Sequence, residues 1–573
     1  MRPVSEIAQS LASAPEALAG EYDIVIVGSG YGGSIMAARL GVANAASGGK
    51  LRIAVLERGK EHPTGTFPET SRSAMKQMYS TRNPLGLIEI NRNDDIDVLQ
   101  AVGLGGTSLV NFNVAMRPDR EVFLQSWPRA FRDAVEEDSD GIGHLAKYFG
   151  RAEAMLGAVR FADDQPLARV DAFNKIADQA GVPATNLEIT VSTEDRVTKY
   201  GVQRKKCPLH GGDGTGDNSF SKNTLMTNYL PMAHHYGVEL HTCIEVDRVT
   251  KSADDSWQVV GVRRDGSRGR DTTPVEITAK RVILSAGTLG TNGILLRSRA
   301  SGLSTSEWLG KNFSGNGDNY AFAYNTDFRT DTLPWATTDG SPRSDVQCGP
   351  SINSAMRFGA NQSDLRKRFT VEDMSVPRAV VDVLRVALMT LGTVRKRPKD
   401  RIKRKRIRKD VRWNTDGAMN HSLGFLIMAH DNSDGEFVLK KNGSVAIDWP
   451  GAPEERMLRD IDDTLERVVE SVGGTYVSKN VLMGKHRMTG HPIGGCATAD
   501  NVEGGVVDDA GRVFRADGDL HEGLLVIDGS VIPRALGVNP FLTISMFAER
   551  AADILRADLG LPGFDPEREW DDR

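Results

Sequence analysis

The fold of this chain is decided by one stretch, Asp23-Ile24-Val25-Ile26-Val27-Gly28-Ser29-Gly30-Tyr31-Gly32-Gly33. Its first five residues predict a short buried strand, and residues 34–40 predict a helix with small side chains on its packing face. A strand, a glycine-rich turn and a helix begin a dinucleotide-binding fold, in which the helix N-terminus offers unpaired amides to a pyrophosphate. We therefore expect this stretch to hold a dinucleotide.

Each glycine of the turn has a separate physical task. Gly28 permits the tight turn, Gly30 lets the backbone approach the pyrophosphate, and Gly33 lets helix and strand pack closely. The other turn residues expected at the cofactor are Ser29, Tyr31 and Gly32. A second predicted strand, 51–56, ends at Glu57, whose carboxylate is expected to bind the adenosine ribose and to disfavour a 2′-phosphate. A fortuitous glycine-rich turn is the alternative, and the matching strand, helix and acid argue against it.

A second glycine cluster lies at Gly103-Leu104-Gly105-Gly106-Thr107-Ser108-Leu109-Val110-Asn111. Such a loop suits close backbone approach to a ring system, which points away from a dissociable nicotinamide. A flexible surface loop is the alternative, but Leu104, Leu109 and Val110 predict burial. The residues expected at the cofactor are Gly103, Gly105, Gly106, Thr107 and Asn111.

The segment 490–544 carries groups suited to chemistry. His491 lies in a stretch punctuated by glycine and proline, and a lone histidine in such a place is either a satisfied structural residue or a functional one. Asn539 and Pro540 predict an N-cap and a first helical residue before an amphipathic helix that starts at Phe541. The N-terminus of that helix would stabilise a nearby negative charge.

Length and composition limit the number of domains and the classes of partner and site that this chain can have. With 573 residues, a formal charge of -5 and a pI of about 6.2, the chain predicts two joined domains and no global attraction to nucleic acid. Its four cysteines are too sparse for a disulfide framework or a metal site, so reduced thiols and no metal are expected. No secretory signal and no span of roughly 18 apolar residues is evident, which favours the cytoplasm.

These motifs together resemble the glucose-methanol-choline (GMC) oxidoreductase family, and within it the FAD-dependent cholesterol oxidases. The resemblance is spread over nearly the whole chain, in order, at 28–33, 103–111, 282–291, 491–496 and 528–544. It implies an α/β (α+β) fold with a Rossmann-like FAD-binding domain and an inserted substrate-binding domain built on an antiparallel or mixed sheet. It also implies non-covalent FAD, because no histidine lies in or next to the 103–111 loop, where some members link the flavin.

The resemblance further implies residue roles. Val246 would meet the adenine with its backbone, Gly287 would pass close to the dinucleotide, and Asp528 would bind the ribityl chain. Asn111 would lie beside the flavin ring, and the segment Asn539, Pro540 and Phe541 would face its pyrimidine edge. His491, Asn539 and Glu372 would form the catalytic set, with Glu372 or His491 taking the hydroxyl proton while hydride passes to flavin N5.

Glu372 is assigned by spacing, since cholesterol oxidases carry a base five residues before a proline and Pro377 follows Glu372 at that distance. A second acid, Asp373, would raise one of the two pKa values by repulsion and burial in an apolar pocket. The alternative is an exposed acidic pair at a helix start.

Domain boundaries are predicted from where strands, glycine-rich turns and helices follow one another in the sequence. The FAD-binding domain is predicted over 20–60, 93–118, 237–316 and 502–560, and the substrate-binding domain over 61–92, 119–236 and 317–501. A basic insertion is predicted over 390–412, after an apolar helix. Together, 379–409 suit peripheral contact with an anionic membrane, although a mobile solvated loop is equally compatible.

The expected function is oxidation of a secondary alcohol, with a 3β-hydroxysteroid such as cholesterol as substrate and oxygen or another acceptor taking the electrons. One alternative is a GMC enzyme that acts on a sugar or a long-chain alcohol with a non-oxygen acceptor. Another is a non-catalytic binding protein that keeps the FAD fold.

Overall fold

The structure is a computed structural model that describes residues 10–138, 141–266, 268–334, 346–394, 400–410, 416–480, 484 and 486–563. Its helices in these ranges are α1 (Tyr31–Ala46), α2 (Ser71–Lys76), α3 (Arg120–Phe123), α4 (Arg129–Glu136), α5 (Leu145–Leu156), α6 (Phe161–Asp164), α7 (Ala168–Ala180), α8 (Tyr229–His235), α9 (Gly287–Ala300), α10 (Val381–Val394), α11 (Arg401–Asp410), α12 (Arg456–Ser471) and α13 (Phe541–Asp558). Its strands there are β1 (Glu21–Val27), β2 (Ile53–Leu56), β3 (Ile88–Asn91), β4 (Ile96–Ala101), β5 (Ala184–Asn186), β6 (Arg196–Val197), β7 (Gln203–Arg204), β8 (Glu239–His241), β9 (Ile244–Lys251), β10 (Trp257–Asp265), β11 (Asp271–Leu284), β12 (Asn319–Tyr324), β13 (Ser354–Phe358), β14 (Phe369–Met374), β15 (Leu423–Ala429), β16 (Glu436–Leu439), β17 (Val445–Asp448), β18 (Thr475–Ser478), β19 (Arg487–Thr489), β20 (Arg512–Phe514) and β21 (Leu520–Val526).

An eight-stranded sheet forms the first half of the fold. Its strands run in the order β20-β21-β11-β1-β2-β8, and β10 and β9 extend it from the first part of β11. β1 lies parallel to both β11 and β2, and the side chains of Ile24, Val25 and Ile26 are fully buried between the helices that cover the sheet. The strand and helix predicted around the glycine turn are confirmed, and α1 begins already at Tyr31, inside the glycine motif.

A six-stranded antiparallel sheet forms the second half, in the order β18-β12-β15-β14-β13-β5. Because side chains alternate along a strand, one face of this sheet packs on α7 and α12 and the other is free to line a cavity. Val371 faces the helices, and its neighbour Glu372 points to the opposite side. The predicted architecture, a Rossmann-like α/β part joined to an antiparallel sheet, is confirmed.

The strands of the two sheets alternate along the chain. The first sheet draws on 21–27, 53–56, 239–284 and 512–526, and the second on 184–186, 319–374, 423–429 and 475–478. The exact division of the chain between two domains stays a prediction. Within the described ranges, no helix combines the length and the apolar character needed to cross a membrane.

A buried ion pair joins α1 to α13. The guanidinium of Arg39 donates to the carboxylate of Glu549 at 2.7–3.0 Å, and the hydroxyl of Tyr229 on α8 donates to the same carboxylate at 2.7 Å. The side chains of Arg39 and Glu549 are only 6% and 0% exposed. The pair therefore holds together the helices that pack on the first sheet.

Replacing Arg39 by Met should destabilise the protein by about 3–5 kcal/mol, because Glu549 would stay buried without a countercharge. The matched control is Arg129→Met, which breaks an exposed pair with Asp133 (79% and 50% exposed) and should cost less than about 1 kcal/mol. Urea unfolding of both variants measures the difference. Equal stability losses would contradict this role for the buried pair.

Candidate active site

One large cavity lies between the two sheets and encloses about 980 Å³. Its wall is formed at one end by the glycine turn and at the other by residues of the antiparallel sheet. Sixteen of the predicted site residues line it: Gly28, Ser29, Gly30, Tyr31, Gly32, Glu57, Gly106, Thr107, Asn111, Val246, Gly287, His491, Asp528, Asn539, Pro540 and Phe541. Four do not: Gly33, Gly103, Gly105 and Glu372.

The glycine turn is packed so closely that most of its positions exclude a side chain. A Cβ on Gly28, which has φ +96°, would lie 2.2 Å from the carbonyl oxygen of Ser285, and one on Gly33 would lie 2.1 Å from the carbonyl oxygen of Gly28. In contrast, a Cβ on Gly30 would have no atom within 4 Å. Gly30 therefore borders the open cavity at the N-terminus of α1, where a pyrophosphate would meet free amides.

Glu57 is held by the turn itself. Its carboxylate accepts hydrogen bonds from the Ser29 amide at 3.1 Å, the Ser29 hydroxyl at 2.6 Å and the Gly59 amide at 2.8 Å. The Ser29 hydroxyl oxygen in turn accepts from the Gly105 amide at 3.0 Å, which ties the second glycine loop to the first. Ser29 thus links both glycine motifs, while contact of Glu57 with a ribose stays a prediction.

Asn111, Tyr31 and Phe541 bring three distant segments together at the cavity wall. The side-chain amide of Asn111 donates to the Tyr31 hydroxyl at 2.7 Å, and the Tyr31 ring stacks on Phe541 with centroids 4.8 Å apart. Leu104 and Leu109 are buried as predicted, and Val110 is half-buried. Although no histidine is near this loop in sequence, the fold packs the His62 ring against Gly103, outside the cavity lining.

Asp528 and Gly287 meet at the start of α9. The Asp528 carboxylate accepts from the Thr291 hydroxyl at 2.5 Å and from the Ser530 amide at 2.9 Å, and burial raises its pKa. Gly287 has φ +76° and no atom within 4 Å of a Cβ position, so the backbone there lies open to the cavity. Val246 reaches the same cavity from β9.

His491 follows β19 and is oriented by a carboxylate that sequence analysis missed. Its Nδ1 lies 2.8 Å from Oδ1 of Asp318, whose side chain is fully buried. The other Asp318 oxygen accepts from the Thr489 hydroxyl at 2.9 Å and the Gly490 amide at 3.0 Å. Because a carboxylate only accepts, Nδ1 carries the proton and Nε2 is the nitrogen that can take one up. No motif spacing connects Asp318 to His491, since they lie 173 residues apart.

Glu372 and Asn539 form a second pair beside the cavity. Glu372 lies on β14 and is fully buried, and the Asn539 side-chain amide lies 3.5 Å from its Oε2. Burial raises the pKa of Glu372 well above its usual value, and the nearby carboxylates of Asp373 and Asp318 raise it further. Burial therefore favours the protonated form of Glu372, which can donate a hydrogen bond but cannot take up the hydroxyl proton.

Two sequence-based expectations at this pair are wrong. Glu372 and Asp373 are not an exposed pair at a helix start, because both are buried on a strand and Asp373 points away to an ion pair with Arg169 at 2.7 Å. Asn539 does not cap the last helix either. α13 begins at Phe541 after Pro540, without a side-chain capping bond, and the Asn539 side chain turns to Glu372 instead. Tertiary contact has overridden the local capping preference.

Most of the remaining cavity wall on the side of the second sheet is apolar, although Tyr320 and Lys479 also line it. The lining there includes Phe112, Val114, Phe322, Met374, Val376, Pro377, Leu384 and Leu426. Such a chamber favours a bulky apolar molecule with one polar group directed at His491.

The polar atoms of the cavity fit a flavin dinucleotide. Asn111 and Asn539 line the cavity and Glu372 lies beside it, and Asn111 Oδ1, Asn539 Oδ1 and Glu372 Oε1 are buried without a protein hydrogen-bond partner. Buried polar atoms normally have partners, so these three await a ligand or water. Together with the open backbone at Gly30 and Gly287, they offer a pyrophosphate cradle at one end and hydrogen-bonding atoms for a polar ring at the other.

Comparisons with known proteins point the same way. Residues 22–316 and 460–548 match the N-terminal and C-terminal models of the GMC oxidoreductase family. A cholesterol oxidase of Mycobacterium tuberculosis is 27% identical over 93% of this chain and 91% of its own length. A long-chain-alcohol oxidase of Arabidopsis thaliana, FAO4B, is 23% identical over 92% of this chain and 66% of its own length.

Solved structures support the fold. Pyridoxine 4-oxidase from Mesorbium loti has a TM-score of 0.58 at 16% identity, covering 94% of this chain and 99% of the other. A fungal aryl-alcohol oxidase has the same TM-score at 18% identity, covering 95% and 100%.

Replacing Glu372 by Gln should change how stability depends on pH. The raised pKa means that the folded protein keeps a proton that the unfolded chain releases near pH 4.5. This proton contributes its whole stabilisation below that pH, and the contribution is lost as the pH rises towards the folded pKa. Glutamine does not titrate, so the variant has no such pH-dependent loss of stability. As the pH rises above 4.5 towards the folded pKa, the unfolding free energy of Glu372→Gln relative to the parent should therefore rise by about 1.4 kcal/mol per pH unit.

Urea unfolding across this pH range measures the trend. Glu503→Gln, which removes an exposed carboxylate, is the control. A difference between Glu372→Gln and the parent that does not change with pH would show that Glu372 is not buried in its neutral form.

Proposed function

This chain belongs to the GMC oxidoreductase family, and from that premise we propose that it is an FAD-dependent enzyme that oxidises the hydroxyl group of a bulky apolar alcohol. The observation that carries the proposal is His491, held by Asp318 at the junction of the dinucleotide cradle and an apolar chamber. A 3β-hydroxysteroid is the leading substrate, in keeping with the similarity to cholesterol oxidases.

Different residues of the chain have different roles at the reacting carbon. FAD, when bound, supplies the acceptor at N5 for the carbinol hydride. Nε2 of His491 takes the hydroxyl proton, and Asp318 stabilises the imidazolium that results. Asn539 and neutral Glu372 hold the polar end of the chamber without adding a charge. The glycine turn and α1 would bind the pyrophosphate. Asn111, Tyr31 and Phe541 would border the flavin ring.

We propose that the FAD is held without a covalent bond. The 103–111 loop contains no histidine, and His62, which packs on Gly103, does not line the cavity.

Of three rival functions, one keeps an apolar alcohol as substrate and the other two are weaker on specific grounds. A long-chain alcohol would also suit the apolar chamber and agrees with the similarity to a long-chain-alcohol oxidase. A sugar would leave most of its hydroxyl groups against apolar side chains, which is unfavourable. A non-catalytic binding protein would have no use for an imidazole oriented by a buried carboxylate.

Replacing His491 by Ala should lower the rate of flavin reduction by alcohol about 10²–10⁴-fold, because the proton acceptor is lost, while flavin stays bound. Glu372→Gln is the comparison and should keep more than roughly a tenth of the rate, since a neutral amide replaces a neutral acid. Anaerobic stopped-flow absorbance with a sterol, a long-chain alcohol and a sugar measures both variants and ranks the substrates. An unchanged rate in His491→Ala, or a larger loss in Glu372→Gln, would reassign the base.

We also propose that α10 and α11 place the cavity mouth on an anionic membrane. Of seven exposed large apolar side chains in the described ranges, five lie on or beside these helices: Met75, Val380, Val383, Val386 and Ile402. α2, which carries Met75, packs against α10, and Val380 and Val383 also line the cavity. Exposed Arg401, Lys405 and Arg408 on α11 supply the positive charge that attracts anionic lipid.

Part of the predicted basic insertion, 395–399 and 411–412, lies outside the described residues. The cytoplasmic location expected from sequence stays a prediction.

Replacing Val383 and Val386 together by Asp should abolish co-sedimentation with phosphatidylserine vesicles, because two charges would enter the apolar contact. Val197→Asp, at an equally exposed site on β6, is the control and should sediment like the parent. Parent protein that stays in the supernatant at low salt would refute the membrane contact.

A further inference from the structure

Lys222 is a buried ammonium group that the proposed mechanism does not use. It is 2% exposed, and its Nζ donates to the backbone carbonyl of Asn111 at 2.5 Å and to that of Asp213 at 3.0 Å. No carboxylate of the described residues lies within ion-pair distance of it. An ammonium group buried against carbonyl groups alone is costly and therefore calls for a function.

The two nearest acids are engaged elsewhere. The Asp213 carboxylate accepts from the Asn113 side-chain amide at 2.6 Å and from the amide and hydroxyl of Ser351 at 3.0 Å each. The Asp217 carboxylate accepts from the backbone amides of Ser219, Ser221 and Lys222 at 2.6–2.9 Å. Burial lowers the pKa of Lys222 to about 8, although the nearby Asp213 and Asp217 act to raise it. Lys222 is therefore mainly charged at neutral pH.

The contact with Asn111 directs this charge at the cavity. Asn111 and Phe112 both line the cavity, and the peptide bond between them presents its carbonyl oxygen to Lys222. In a trans peptide the N–H points opposite to the C=O, so the Phe112 amide points away from Lys222. Among the described residues this amide has no hydrogen-bond partner. An ammonium group on the carbonyl side strengthens the N–H as a donor.

We propose that Lys222 is a positioning residue that raises the reduction potential of the bound flavin, through its positive charge and through the polarised Asn111–Phe112 peptide. This inference rests on the proposed function, since it requires a flavin in the cavity. Lys222 transfers no proton or electron. It favours the negative charge that the ring gains on reduction.

The test is the equilibrium between bound flavin and a reference redox dye, measured without any alcohol. In Lys222→Met the equilibrium constant for flavin reduction should fall at least tenfold, which is about 30 mV for a two-electron couple. Lys222→Arg, which keeps the charge, should stay within about threefold of the parent. The structural control is Arg204→Met, because Arg204 is equally buried and donates to the carbonyls of Ser221 and Lys222, but none of its hydrogen-bond partners lines the cavity, whereas Asn111, the partner of Lys222, does.

Three outcomes overturn the proposal: a flavin-loaded Lys222→Met with the parent equilibrium constant, an equal fall in Arg204→Met, or a tenfold fall in Lys222→Arg. If Lys222→Met does not fold or hold flavin, the pH dependences of the parent and of Lys222→Arg decide between pH 7 and 9. Because Lys222 loses its charge as the pH passes about 8 and arginine does not, the constant of the parent should fall relative to that of Lys222→Arg, and parallel pH dependences would refute the charge effect. A colourless parent protein would instead refute the proposed function.

Discussion

The hydrogen bond between Asp318 and His491 is the interaction on which the site depends. Asp318 stands at the entry to β12 of the antiparallel sheet, and His491 follows β19 of a different, smaller sheet. The same carboxylate holds Thr489 and Gly490, so backbone and imidazole are fixed together. One buried acid therefore sets the position of the ring, its tautomer and the direction in which it can accept a proton.

The electrostatics of the cavity follow from which groups are allowed to be charged. The Asp318 carboxylate accepts from Thr489 and Gly490 and lies beside the His491 imidazole, whereas Glu372 has only a long contact with Asn539, and its burial raises its pKa. Two carboxyl groups close to the same cavity thus have separate environments, one that orients His491 and one that favours its own protonated form. Lys222 behind the wall adds a positive charge on the side of Asn111.

Local sequence predicted the cradle well because its physics is local. Gly28 and Gly33 follow from the spacing of one turn, and the strand and helix on either side follow from residues within a few positions. Asp318 could not be predicted, because its contact with His491 spans 173 residues and depends on how two sheets pack. Asn539 shows the opposite failure: a sound local capping pattern is overridden by a contact with Glu372, 167 residues away. The acidic pair at Glu372 and Asp373 was ambiguous for the same reason, since only the strand places one acid on each face.

The central claim is that this chain holds a flavin beside His491 and reduces it with an apolar alcohol. Its most direct test is the visible spectrum of the purified protein during anaerobic addition of a 3β-hydroxysteroid and then of a long-chain alcohol. We predict flavin absorbance that bleaches with at least one of the two. A folded protein without flavin absorbance, or one whose bound flavin is bleached by dithionite but by neither alcohol, would contradict the account.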